Sequence, residues 1–216
     1  LFAKEGANVT LASRSQKELE ESAEHINKFN REALIVTTDI SEPDQVKHAI
    51  QKTIERWGRL DVVVANAGIN GVWAPLDELE PEEWDKTLTI NLKGTFLTLK
   101  YSIPELRKQG GAVIITSSVN GNRKFTTAGA SAYSASKAAQ VALTKQAALE
   151  LAKFRIRVNV ICPGKIETEI SEHTHPRHLE KAEEPADFPE GKIPLTDGQP
   201  GTPEQVANLV LFLASD

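Results

Sequence analysis

Methionine is absent from the 216 residues, cysteine occurs once, and aromatic residues are few, with 3 Trp, 2 Tyr and 7 Phe. The single cysteine, Cys162, excludes an internal disulfide framework and suits a reducing, cytoplasmic compartment. With no activating base near it in sequence, it reads as a small, buried apolar residue. No apolar run approaches the ~18 residues needed to cross a bilayer, so no membrane role is expected. Positive charge is not in excess: the formal net charge is −5, which gives no reason to expect a nucleic-acid partner. The chain opens on LFAKEGANV, which reads as the end of a helix stopped at Gly6, and closes on LVLFLASD, another helix. Without a methionine at position 1, it is expected to be a piece of a longer protein cut at both ends, with any targeting signal upstream.

The chain is the size of one ordinary domain, and 40% hydrophobic with 25% charged residues reads as soluble and globular. Strands are expected at NVTLAS (8–13), ALIVTT (33–38), LDVVVANAG (60–68), GAVIITSS (111–118) and RIRVNVICPG (155–164). Capped helices are expected at 15–30, where Ser15 and Glu18 have capping-box spacing, and at 41–58, ending on Gly58. A long helical region spans 81–110, tolerating Gly94 and kinking before Pro104. Further helices cover 131–153 and 203–215. Residues 165–202 are polar, with several prolines and no clean period. Helices alternating with continuously apolar strands mean a parallel sheet covered on both faces: a single doubly wound α/β domain, Rossmann-like, in three αβα layers. Such sheets bind ligands beyond the carboxyl ends of their strands, which directs attention to Ser13-Arg14, Asp39, Asn66-Ala67-Gly68, Ser117-Ser118 and Pro163-Gly164.

Tyr133 and Lys137 stand at i and i+4 and share a helix face. A free phenol, with a pKa of about 10, exchanges its proton poorly at neutral pH, and a neighbouring ammonium favours the phenolate. A tyrosine so tuned suits a general acid for a carbonyl oxygen. Ser118 ends a parallel strand one loop earlier, Gly68 in ANAG lets backbone approach a flat ligand, and Pro163-Gly164 turns sharply at another strand end. Turn glycines, strand-end serines and a helix-face ion pair would explain each feature alone; their convergence on one sheet edge favours a site.

The order A-N-A-G, I-N-L-K-G-T-F, V-I-I-T-S-S-V-N-G, Y-S-A-S-K, N-V-I-C-P-G-x-I-x-T resembles the short-chain dehydrogenase/reductase superfamily in its single-domain branch, across residues 1–216. Its closing GTPEQVANLVLFLASD is similar to 3-oxoacyl-carrier-protein reductase and sugar or steroid dehydrogenase members. The resemblance implies hydride transfer between a nicotinamide cofactor and a ketone or secondary alcohol. It casts Tyr133 as general acid and base, and has Lys137 lower the tyrosine pKa and hold the nicotinamide ribose. Ser118, rather than Ser117, binds the substrate oxygen, and Asn91 holds a water that connects Lys137 to solvent. It places Asn66, Ala67 and Gly68 against the cofactor, Asp39 and Ile40 beside adenine, and Pro163, Gly164, Ile166 and Thr168 around the nicotinamide.

An acid at the end of the second strand of such folds binds the ribose 2′-OH, whereas a nearby arginine accommodates a 2′-phosphate. Ser13 stands where that acid would, and Arg14 follows, which favours NADP over NAD. The family's G-x-x-x-G-x-G loop and the strand bearing it do not occur before LFAKEG, nor does a final strand. A gap in the sheet is therefore expected between the strands at 8–13 and 60–65. Residues 169–200 are expected to form a solvated, mobile substrate lid with no strand or helix to fix it. In it His173, His175 and His178 match no closed metal site, and Trp73 and Val119-Asn120 are candidates to line the pocket with it. By analogy with the family, helices 81–109 and 131–153 are expected to pair across a two-fold, giving a homodimer or homotetramer. Two other readings stay open. One is a non-catalytic dinucleotide sensor of the same fold; the other is the sugar-nucleotide epimerase branch, against which ANAG, Asn91 and the short C-terminal region count.

Overall fold

The computed structural model describes residues 1–122, 128–168, 170, 174–182 and 198–215. Its main sheet is parallel, in the order β3-β5-β6, from Val62–Ala65, Gly111–Thr116 and Ile156–Ile161. The register pairs Ala65 with Ile115 and Thr116 with Ile161, so three strands end along one edge. One face packs on α4 (Gly94–Leu106) and α5 (Ser131–Leu151), where Leu99, Leu106, Ala147 and Leu151 meet Val63, Val113, Ile115 and Val158. The other face packs on α6 (Pro203–Ala214) and Phe2. The doubly wound, three-layer α/β fold follows from strands apolar on both sides.

A second parallel pair, β1 (Val9–Ser13) and β2 (Ala33–Thr37), carries α1 (Gln16–Asn27) and α2 (Pro43–Trp57). Among the described residues no ladder joins β1 to β3, so the expected gap is present. Beside it the cover of α6 and Phe2 reaches Val62, while Val64 remains 40% exposed.

Local chemistry sets most boundaries. Ser15 caps α1 by accepting the Glu18 N–H at 3.4 Å, and Gly58 ends α2 at φ 71°. At α2 the N-cap is Glu42, with no side-chain bond, because the Ser41 hydroxyl donates instead to Asp39 Oδ1 at 2.6 Å. Thr202 and Gln205 form a full capping box at α6.

Three expectations need correction. Residues 2–6 make turns rather than a helix end, although Gly6 does take positive φ. The long helix at 81–110 is three pieces: α3 (Pro81–Leu88), a π-helical turn (Thr89–Lys93) and α4, which runs through Pro104. Gly94 is tolerated because Ile40 packs on it; an added Cβ would stand 2.9 Å from Ile40 Cγ2. The segment expected to lack fixed structure contains β7 (Thr174–Pro176), paired in parallel with β4 (Gly71–Trp73), and a 3-10 turn at Leu179–Lys181. A three-residue strand carries too little periodicity to be seen in sequence.

Gly111 shows how tightly the sheet is entered: its φ is 148°, and a Cβ there would meet Asp61 O at 2.3 Å. Gly111→Ala should therefore destabilise the fold by about 2–4 kcal/mol, measured by urea unfolding; an unchanged midpoint would contradict the close approach.

Candidate active site

Ser117 and Ser118 follow β5, yet they do different things. Ser117 Oγ donates to Lys137 O at 2.7 Å and its N–H to Ile161 O at 2.8 Å, which ties strand end, α5 and β6 together. Ser118 Oγ accepts the Asn120 N–H at 3.2 Å and interacts with the Tyr133 side chain. The hydroxyl that faces the tyrosine is therefore that of Ser118.

Tyr133 and Lys137 lie on consecutive turns of α5, with Lys137 Nζ 5.7 Å from the Tyr133 ring centroid. Lys137 is only 3% exposed, and its Nζ donates to Thr116 O at 2.9 Å. Burial pulls its pKa from 10.5 to about 8, against the opposing influence of Cys162. The phenol differs from expectation. Burial raises the Tyr133 pKa above its usual value, Ser118 pulls it back, and Lys137 is not among the causes. The ammonium is directed at a backbone carbonyl, and its own charge is weakened by the burial that raises the phenol.

Asn91 sits in the π turn, where the helical ladder slips and Gly94 N–H reaches back to Thr89 O. Its side chain is fully engaged: Oδ1 accepts from Ile69 N–H at 2.8 Å, and Nδ2 donates to Ile69 O and Ser136 Oγ at 2.9 and 3.0 Å. Its carbonyl accepts from Gln140 Nε2 and Thr95 Oγ1. Asn91 thus clamps the segment after β3. Asn66 and Ala67 are exposed there, and a Cβ on Gly68 would stand 3.2 Å from Asn91 Oδ1 and 3.4 Å from Lys137 Nζ.

At the corresponding edge of the smaller sheet, Ser13 Oγ accepts the Ser15 N–H, while exposed Arg14 makes no hydrogen bond or ion pair among the described residues. Bonds from the Ser41 hydroxyl and N–H hold the Asp39 carboxyl below its ordinary pKa, with a smaller contribution from Arg14. After β6, Pro163 O accepts the Val119 N–H at 3.1 Å, joining two strand-end turns. Gly164 and Thr168 are exposed, and Ile166 bridges to Gly201. Cys162 is a free, partly buried residue rather than a fully buried one, and it lines a cavity of about 210 Å³ with Ile161, Pro163, Ile166 and three residues of α6.

Trp73 belongs to β4 and donates from Nε1 to Asn70 O at 3.2 Å. His178 pairs with Glu78, and His175 is exposed on β7; His173 and most of 169–200 lie outside the described residues.

Sequence reasoning missed the carbonyl of Thr116, the buried amide of Gln140 and Gly121. A Cβ on Gly121 would lie 2.4 Å from Lys137 C, so the turn carrying Ser118 rests directly on the α5 backbone. A glycine three residues after the serine was the available signal.

Residues 1–216 match the family described as Enoyl-(Acyl carrier protein) reductase. The chain is 38% identical to the 3-oxoacyl-(acyl-carrier-protein) reductase FabG of Thermotoga maritima, covering 100% of this chain and 83% of that protein. It superposes on a 3-ketoacyl-ACP reductase from Sinorhizobium meliloti with TM-score 0.92 and 48% identity, covering 100% of this chain and 85% of the other. A 3-ketoacyl-(acyl-carrier-protein) reductase from Brucella melitensis, complexed with NADH, gives TM-score 0.84 at 28% identity over 99% and 83% of the two chains. The chain belongs to the short-chain dehydrogenase/reductase family of NAD(P)-dependent oxidoreductases.

The residues present suit a dinucleotide. Gly68 keeps open a space beside Lys137 that a side chain would fill. Lys137 has three donor hydrogens and commits one, to Thr116 O, among the described residues.

The depressed Lys137 pKa has a stability consequence of definite sign. Below pH 8 folding carries the cost of a buried charge. Between about 8 and 10.5 the folded state has released a proton that the unfolded state still holds, so stability rises with pH. Tyr133 acts oppositely, but only above its usual value of 10. Lys137→Met should be more stable at pH 7 by about 1–3 kcal/mol and lack the climb. Urea unfolding from pH 7 to 10 checks this; an equally steep variant would place the effect elsewhere.

Proposed function

We propose that this protein interconverts a ketone and a secondary alcohol using NADP(H), with Ser118, Tyr133, Lys137 and Asn91 as its working residues. The observation that carries the reading is the meeting of the Ser118 and Tyr133 side chains above a buried lysine ammonium at one sheet edge. When bound, the nicotinamide supplies or accepts the hydride at carbon. Tyr133, protonated at neutral pH and made harder still to ionise by its burial, gives that proton to the carbonyl oxygen in reduction and takes it back from the alcohol in oxidation. The Ser118 hydroxyl holds the same oxygen and hydrogen-bonds the phenol, and Lys137, with donors to spare beside Gly68, would hold the nicotinamide ribose. Asn91 positions Gly68 and Ile69 beneath them.

Asn66, Ala67, Gly68, Pro163, Gly164, Ile166 and Thr168 would bound the dinucleotide, with Asp39 and Ile40 beside its adenine. Arg14, exposed and without a hydrogen bond or ion pair among the described residues, supports NADP over NAD, because its guanidinium can take a 2′-phosphate bidentately. The names of the relatives favour a 3-oxoacyl thioester as substrate. Residues 1–216 act as one domain with a substrate-side segment at 169–200, in the cytoplasm and as a homo-oligomer. Phe96 on α4, 47% exposed beside Leu88 and Leu92, and Leu149 on α5, 76% exposed, provide apolar surface for that association.

With purified protein, NADPH oxidation against 3-oxoacyl thioesters, ketosteroids and sugars should be fastest on one carbonyl class. Tyr133→Phe should lower kcat by roughly 10²–10⁴-fold while leaving the NADPH Kd within twofold. A dinucleotide sensor would be indifferent to the same change. Arg14→Ala should weaken NADPH about tenfold and NADH hardly at all, read by fluorescence titration; equal weakening would remove the case for NADP.

A further inference from the structure

Residues 174–182 form an electrostatic staple that the reaction described above does not use. β7 lies parallel to β4, and Arg177 N–H extends the ladder by donating to Trp73 O at 2.8 Å. Its guanidinium then forks onto Glu83, with Nη1 and Nη2 at 2.6 and 2.8 Å from the two carboxylate oxygens, and Nη2 also reaches Glu78 O. Glu83 is itself oriented by the Glu80 N–H at 3.0 Å. Beside it, His178 Nδ1 and Lys181 Nζ straddle the Glu78 carboxylate, each at 2.6 Å. Two acids before and within α3 thus face three basic side chains of a segment about 100 residues away.

The staple is joined to both flanks of the candidate site. On one flank Asn70, two residues after Gly68, donates from Nδ2 to Thr174 Oγ1 at 2.7 Å and to Ile170 O at 3.3 Å. On the other, Leu179 lies so close to Gly129 that a Cβ there would meet Leu179 Cδ2 at 2.4 Å, and Gly129 O accepts the Ala74 N–H at 3.1 Å. Gly129 leads directly into the first turn of α5, which carries Tyr133.

We infer that residues 174–182 are a preset wall of the substrate side, and that Arg177 is a positioning residue that governs affinity for the carbonyl substrate rather than for the dinucleotide. The assignment rests on the oxidoreductase reading above. Arg177 touches none of the proposed reacting groups and acts through the β4–β7 ladder. A planar fork is required: a lysine offers a point charge and cannot hold both Glu83 oxygens. The pair is partly exposed, at 33% and 23% for the two side chains, so its loss should open the segment locally and leave the global fold nearly unchanged.

The test compares wild type, Arg177→Met, Arg177→Lys and the charge-swapped pair Arg177→Glu/Glu83→Arg, assayed with NADPH and the best carbonyl substrate. Arg177→Met and Arg177→Lys should raise KM for the carbonyl substrate roughly tenfold. They should leave the NADPH Kd and the unfolding midpoint unchanged. Amide hydrogen exchange at 174–177 should accelerate in both, and the swapped pair should recover part of the KM. An active Arg177→Met enzyme with unchanged KM and unchanged exchange would overturn the wall, as would a Kd for NADPH that rises in step with KM. Wild-type protein that turns over no carbonyl substrate would instead fail the functional reading, and with it the assignment of Arg177 to substrate affinity.

Discussion

A lysine ammonium with almost no exposure to water is costly to keep, and the geometry around the site can be understood as what keeps it. Among the described residues Lys137 Nζ bonds one backbone carbonyl, Thr116 O, available because β5 ends at that residue while α5 passes over the strand end. Two further contacts hold the helix in that position: Ser117 Oγ against Lys137 O, and Gly121 against the helix backbone. A one-residue slip in the register of β5 would turn the Thr116 carbonyl and the Ser117 hydroxyl away from α5.

Below this point α5 is polar where a helix buried against its neighbours would ordinarily be apolar. Ser136, Gln140 and Thr144 recur every fourth residue and are all buried. Ser136 and Gln140 bond to Asn91 or to Thr95 on the π turn and α4, and Thr144 bonds back to Gln140 O. A stripe of this kind specifies register, since a shift of either helix would leave several polar groups buried without partners. Through it the position of α5 is transmitted to Asn91, then to Ile69, and so to the turn after β3 that is proposed to border the cofactor.

The proposed substrate side rests on different physics. The proposed cofactor side is held by buried hydrogen bonds around Asn91 and Lys137, whereas the β4–β7 ladder is held by partly exposed charge pairs. The first is stiff and the second can open locally at modest cost, a division that suits a common cofactor and a variable substrate.

Much of this was legible in the residues. Apolar strand runs, the Gly58 stop and the Ser15 cap are local signals, so the parallel sheet, its helices and the interruption between β1 and β3 could be read before any coordinates. The i, i+4 spacing of Tyr133 and Lys137 likewise placed both on one face. Other features depended on distant partners. The Ser136–Gln140–Thr144 stripe has the spacing of a wet face and is buried, because α3 and the π turn lie over it. The π turn, the strand at 174–176 and the partly buried Cys162 carry no local signature. The rise of the Tyr133 pKa was invisible for the same reason: desolvation is a property of everything packed around a group, whereas the neighbouring lysine was all that the sequence displayed. By itself, then, the sequence determined most of the strands and helices and which side chains share a helix turn, since these follow from backbone preference and period. Only the tertiary structure decided which of two adjacent serines meets the tyrosine, where the lysine points, and what holds residues 174–182, because those outcomes depend on burial and on partners as far as 104 residues apart.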